Sequence, residues 1–207
     1  MGRVGQVGRV GQVGRVGQVG RVGQVGGVGH VGQVGRVGSI RTATTDDVPG
    51  IVTLLNAAFA MERDFVDRDR TSAAEIAHYM ESGTFFVIDG DDGVLASCMY
   101  LEQRSTRLYL GMLAVSPSQQ GRGLGCQMMV EAERRAALLG CAAIDIRIVD
   151  RRTELPPFYR SLGFVDNGTE PFDDPLLTKP AHFIRMTKPV GSKGRDGQDG
   201  QDSVETI

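Results

Sequence analysis

A chain of 207 residues holds one ordinary domain with room for tails, and its 41% hydrophobic content suffices for one core. The net charge of −2 conceals a split: Arg3, Arg9, Arg15, Arg21 and Arg36 stand in the first 38 residues without any acid, while the last 17 residues are net acidic. The middle is left at about −5, the wrong sign for a nucleic-acid-binding surface.

From Gly2 to Gly38 glycine occupies every third position, mostly as Gly-x-Val with Arg and Gln alternating. The tract has no proline, which excludes a collagen helix; its glycine makes ordering costly while valine alone offers little surface to bury. A flexible low-complexity segment is expected over 1–38, and "GSKGRDGQDGQDSVETI" reads as a second flexible, Gly/Asp-rich tail over 191–207. Glycine at every third position leaves no apolar stretch for an export signal, and no later segment approaches the roughly 20 apolar residues of a membrane span. A soluble, cytoplasmic protein is expected, with neither membrane nor specific nucleic acid among its partners. Cys98, Cys126 and Cys141 form no Cys-x-x-Cys pair and are odd in number, as suits reduced thiols. His30, His78 and His182 share no metal-ligand spacing, so no metal is expected.

The folded part then spans 39–190. "SIRTAT" reads as a short strand, and "TDDVPGIVTLLNAAF" as a helix with Val48, Ile51, Leu54 or Leu55, and Phe59 at helical spacing. "MERDFVDRDR" is charged and reads as a loop; "TSAAEIAHYME" opens with a Thr-Ser and Glu75 capping signature and predicts a second helix. "TFFVI", "DGDDG" and "VLASCMYLE" predict an antiparallel hairpin. "RLYLGMLAV" is a fourth strand, followed by "SPSQQGRGLG" and a long helix with Leu124, Met128, Ala132, Ala136 and Leu139 on one side. "AAIDIRIV" is a fifth strand, reached by a crossover and hence parallel to the fourth. "LPPFYRSLGF" is a short helix ended by Gly163, and "HFIRMTK" a last strand.

A glycine-rich turn between strand and helix points backbone amides and the positive helix end outward, which makes a phosphate cradle; a bland turn would use the same glycines. A Walker loop requires Gly-Lys-Ser/Thr, whereas Gly125 is followed by Cys126 and Gln127. A dinucleotide fingerprint beginning at Gly121 would put its third small residue on Cys126 and stand five residues away from its strand, behind at least three earlier strands. The third reading rests on "QQGRGLG", with Gln120-x-x-Gly123-x-Gly125 after "LAVSP", and on "FYRSLGF" downstream. Together they resemble the acetyl-CoA loop and following helix of the GNAT superfamily of N-acetyltransferases, and the resemblance extends in element order over 39–190.

That resemblance implies an α+β (mixed α/β) fold: a mixed, mostly antiparallel sheet splayed between its fourth and fifth strands, with helices on both faces. It implies an acyltransferase using acetyl-CoA as co-substrate and no metal, acting on a primary amine of a small molecule or peptide, and it admits a homodimer. The cradle for the CoA pyrophosphate would be Gln120, Gly121, Arg122, Gly123, Leu124, Gly125 and Cys126. Leu113 and Val115 would pair with the pantetheine arm, and the amide of Leu113 or Ala114 would meet the acetyl oxygen. Tyr159 matches the tyrosine that protonates the departing thiolate; its other reading is packing beside Phe158 and Phe164. Many members carry an asparagine after the fifth strand where this chain has Val149-Asp150-Arg151. Asp150 can accept a pantetheine hydrogen bond but cannot donate one as an amide does, and it is equally a holder of the acceptor amine.

The amine must be neutral to attack, and Glu102 and Asp150 are the candidate bases. Acceptor selection falls to "MERDFVDRDR", with Glu62, Asp64 and Asp67, and to the late loop "NGTEPFDDPLLTKPAHF". Their acids suit a cationic acceptor such as a polyamine, an aminoglycoside or a lysine side chain. Two alternatives stay open: an acyl-CoA-binding regulatory module without turnover, and a dinucleotide-binding oxidoreductase.

Overall fold

The computed structural model describes residues 38–90 and 93–191. The repeat tract expected over 1–38, apart from Gly38, and the tail expected over 191–207, apart from Gly191, lie outside the described residues.

Seven strands form one sheet: β1 (Ile40–Thr42), β2 (Thr84–Asp89), β3 (Leu95–Arg104), β4 (Arg107–Val115), β5 (Ala143–Val149), β6 (Val165–Pro171) and β7 (His182–Pro189), in the order β1-β2-β3-β4-β5-β7-β6. Every neighbouring pair is antiparallel except β4 and β5, which are parallel, as a helical crossover demands. Helix α1 (Val48–Ala58) buries Ile51, Leu54 and Leu55, and α2 (Ala73–Ser82) buries Ile76, on one face of the sheet with Phe85, Val87, Cys98 and Tyr100. Helix α3 (Leu124–Leu138) and α4 (Leu155–Ser161) cover the other face with Leu124, Met128, Met129, Ala132, Ala136 and Tyr159. The mixed, two-sided fold is the one the sequence pattern implies.

Local chemistry explains the element ends. Ser72 accepts a hydrogen bond from the Glu75 amide at 3.3 Å while the Glu75 carboxylate accepts from the Ser72 amide at 2.8 Å, a closed capping box that starts α2. Arg41 forks between Asp47 and Asp89, tying the entry of α1 to the end of β2 and holding the Asp47 carboxyl well below its ordinary range.

Three details depart from the sequence pattern. Residues 165–171, read within the late loop or just before it, form β6, an outer strand whose side chains are mostly exposed; it lacks the apolar alternation that marks a strand. On α3, Met129 rather than Leu139 completes the buried face, and Leu139 lies beyond the helix end, 49% exposed. The segment read as a charged loop begins with a 3₁₀ turn, Ala60–Asp64.

Strand β4 carries the decisive irregularity. Cys98 pairs with Ala114 but Tyr100 pairs with Gly111, so Met112 and Leu113 oppose the single residue Met99, and Met112 has φ +50°. This bulge reverses the side-chain alternation. Leu108 and Leu110 pack with α3, whereas Met112 and Ala114 pack with α1 and α2. The Cys98 thiol donates to the Met112 carbonyl at 3.6 Å, and the buried Ser97 hydroxyl donates to the Ala114 carbonyl at 2.7 Å, so side chains of β3 stitch the distorted stretch.

Where α2 meets β2, the backbone of Gly83 passes against β3: a methyl added there would lie 2.5 Å from the Leu101 carbonyl oxygen and from the Tyr100 hydroxyl. Gly83→Ala is expected to lower the unfolding free energy by about 1–3 kcal/mol, as overpacked sites do. Urea titration checks this as a lower midpoint at unchanged slope; an unmoved midpoint would contradict the close approach.

Candidate active site

The parallel pairing of β4 with β5 covers only Arg107–Tyr109 against Ala143–Asp145. Beyond it the strands part, although β4 continues to Val115 and β5 remains paired with β7 to Val149. The closed end of the cleft is clamped by Arg107, whose guanidinium donates to both Asp145 oxygens and, at 2.6 Å, to the Thr187 hydroxyl, joining β4, β5 and β7. That ion pair keeps the Asp145 carboxyl below its usual range.

Antiparallel geometry decides which backbone groups of β4 face the opening. The Ser116 amide donates to the Ala96 carbonyl at 2.8 Å, and Ala114 pairs with Cys98. Groups directed at β3 alternate with groups directed away, so Leu113 and Val115 turn toward the parted side. There the Val115 carbonyl accepts from Gln120 Nε2 at 3.3 Å.

The chain leaves β4 through a short 3₁₀ turn, Pro117–Gln119, and enters α3 at Gly123. Gly121 (φ +78°) and Gly123 (φ +82°) both lie in the left-handed region, where a side chain is strained whatever the space around it. Gly125 does not; a methyl there would touch Val115 and Phe158 at ordinary distances of 3.9 and 4.0 Å. Among the described residues no side chain caps the start of α3, and no acid stands in its first turn. The amides of Leu124, Gly125 and Cys126 therefore have neither an intrahelical acceptor nor a side-chain cap, the arrangement that receives an anion. Arg122, bonded to the Gln119 side chain, stands in the same turn.

Tyr159 arrives from α4 on the same face as α3. Its ring meets Phe158 and Phe164 edge-on, with centroids 5.2 and 5.5 Å away. Burial pushes its phenol up to about 12, a shift that the nearby Arg152 guanidinium moderates. Among the described residues no hydrogen bond engages its hydroxyl.

Residues 81–166, from the end of α2 into β6, match the family model described as the acetyltransferase (GNAT) domain. Over those residues the chain is similar to the GNAT acetyltransferases. Solved structures share its fold. A ribosomal-protein alanine N-acetyltransferase from Escherichia coli is 20% identical with a TM-score of 0.64, covering 77% of this chain and 98% of its own. A phosphinothricin acetyltransferase from Sinorhizobium meliloti, solved with AcCoA, is 17% identical with a TM-score of 0.62, covering 79% and 95%. A nourseothricin acetyltransferase is 19% identical with a TM-score of 0.61, covering 74% and 98%. No curated protein sequence matches the chain.

The carboxylates named from the sequence are sorted by their partners. Glu102 accepts from Arg104 at 2.7 Å and from the Tyr100 hydroxyl at 3.3 Å, and Arg104 holds its pKa below the ordinary value. Asp150 accepts from the His182 amide at 3.0 Å and lies 3.2 Å from the His182 ring. Asp64 pairs with Lys179, and Asp174 with Arg68. Glu62 differs. It is largely buried, burial raises its pKa, and its neighbours Arg70 and Arg152 stop at 3.7 and 3.9 Å. The loops read as acceptor-selecting are joined: Val66 bridges Leu177, the Thr178 amide donates to Phe65, and Phe65, Val66 and Val149 form a small core with Phe172, Leu177 and Phe183. Arg152, beside Tyr159, was not singled out from the sequence, where one arginine in "VDRRTE" looks like any surface charge. Among the described residues no group of three or more His, Cys, Asp or Glu could hold a metal, and no helix is long and apolar enough to cross a membrane.

The raised Tyr159 pKa has a testable sign. The unfolded phenol ionises near 10 and the folded one near 12, so this tyrosine stabilises the fold fully below pH 10 and loses that contribution as pH rises through 12. Absorbance titration of phenolate, compared with Tyr159→Phe, is expected to assign a step near pH 12 to this residue; a step near 10 would contradict its burial.

Proposed function

We infer that the domain transfers an acetyl group from acetyl-CoA to a primary amine by direct attack. The observation that carries this reading is the uncapped start of α3, preceded by two left-handed glycines, at the mouth of the parted β4–β5 edge. Phosphates need amides and a positive helix end; an extended thioester arm needs an unpaired strand edge. The site offers both next to a buried phenol.

On this reading the amides of Gly121 to Cys126 hold the pyrophosphate, with Arg122 and Gln120 beside it, and Leu113 and Val115 pair with the arm. The amide of Leu113 or Ala114 donates to the thioester oxygen as charge builds on it. Bound acetyl-CoA supplies an activated acyl group and a thiolate leaving group. Tyr159 serves the thiolate. A phenol near 12 facing a thiol of pKa about 8.5 makes full proton transfer uphill by about 5 kcal/mol. Tyr159 therefore donates a hydrogen bond that strengthens as the C–S bond breaks and passes its proton only as the amine's proton is relayed to it. Asp150, at the end of β5, is a further contact for the arm. Of the candidate bases, Glu102 keeps that role only if Arg104 releases it. The structurally similar enzymes are acetyltransferases named for ribosomal-protein alanine, phosphinothricin and nourseothricin, which supports an amine acceptor without selecting one. The free thiols of Cys98, Cys126 and Cys141 favour a cytoplasmic acetyltransferase, with a homodimer as the assembly to test.

Gly123→Val is expected to weaken CoA binding at least tenfold, since it distorts the left-handed turn that aims the amides; calorimetric titration of CoA checks this, and unchanged affinity would remove the cradle. Tyr159→Phe is expected to lower kcat at least tenfold while CoA affinity stays within about twofold. Thiol release with acetyl-CoA and an amine panel measures it. CoA binding without release on any amine would favour the regulatory module.

A further inference from the structure

Buried guanidinium nitrogens are normally hydrogen-bonded, yet Arg152 Nη1 is fully buried and has no hydrogen-bond partner among the described residues. The rest of that side chain is fixed: Nε donates to Glu154 at 2.5 Å, and the guanidinium lies 5.8 Å from the Phe59 ring centroid. Arg70 approaches the same ring to 5.3 Å. Between the two arginines stands the Glu62 carboxylate, too far from either for a hydrogen bond. Two cations that flank the Phe59 ring thus face one desolvated anion without a hydrogen bond to it, where the turn after α1 meets the segment between β5 and α4, beside Tyr159.

Such a group is completed by a ligand that carries both signs. We propose that the acceptor is a zwitterionic amine, an amino group next to a carboxylate or comparable oxyanion, with its anion on Arg152 Nη1 and Arg70 and its ammonium on Glu62. The proposal rests on the acetyl-transfer reading and names the substrate class of the same site. It revises the cationic acceptor expected from acid-rich loops. Asp64, Asp174, Glu154 and Asp150 are already held by Lys179, Arg68, Arg152 and His182, and a polyamine would meet two guanidiniums with no charge to offer them.

The chemistry balances. The ammonium gives one proton to Glu62, whose buried carboxyl is the better base for its raised pKa. The nitrogen lone pair forms the C–N bond, the C–S bond breaks, and a second amine proton reaches the thiolate through Tyr159. Products are the N-acetyl amino acid, CoA thiol and one proton released from Glu62 to water.

The test measures thiol release with acetyl-CoA for free L-amino acids, their methyl esters, spermidine and a lysine peptide, on the wild type, Arg152→Gln and Arg152→Lys. CoA titration by calorimetry confirms that each variant is folded. The expected result is a kcat/KM for one or more free acids at least about tenfold above that of the matching ester. Arg152→Gln should collapse that ratio toward one through KM, with CoA affinity within about twofold, and Arg152→Lys should restore part of it. Equal use of ester and acid, preference for spermidine or the peptide, or a ratio unmoved by Arg152→Gln would overturn the zwitterion assignment and leave acetyl transfer standing. CoA binding with no release from any amine would overturn both.

Discussion

The bulge at Met112 is the constraint on which the rest depends. A regular β4 would send Leu108, Leu110, Met112 and Ala114 to one face, and one helical layer would lose its contacts. With one extra residue the strand serves α3 through its first half and α1 through its second. The same insertion bends β4 away from β5 after three paired residues. The strained φ of a non-glycine residue is held by packing on both sides and by the Ser97 and Cys98 bonds. Packing, the parted edge and the exposure of Leu113 and Val115 to it are thus one event.

Much of this was legible because it was local. The capping box at Ser72, the strand-loop-helix around "QQGRGLG" and the Gly163 stop each depend on a few adjacent residues, and the structure places them as read. Strand β6 was illegible because its order comes from pairing with β7, not from an apolar face of its own. Leu139 was assigned inward by periodicity alone, but the helix ends at Leu138, and Leu139, capping it, keeps a backbone bond to Arg135 while its side chain is left exposed.

Charge was the least readable quantity. Acids in "MERDFVDRDR" and the late loop looked like bait for a cation, yet most are engaged by arginine or lysine from segments far away in sequence, such as Arg68 with Asp174. What a carboxylate can do depends on whether its partner closes the bond. Glu102, held at 2.7 Å, and Glu62, with gaps of 3.7 and 3.9 Å, are the same residue type in opposite states. No one-dimensional pattern separates them.

Finally, the two outer strands have a bearing on how the domain survives at high concentration. An uncovered sheet margin is a template on which another chain can add a strand. Here one margin is only three residues long, Ile40–Thr42, and the other is kinked at Gly168, where the pairing register slips, and carries Asp166 and Glu170. Neither offers the long, flat, apolar rail that fibrillar stacking needs. The seven strands therefore end in borders that resist continuation, which keeps a sheet opened at its centre from being extended at its rims.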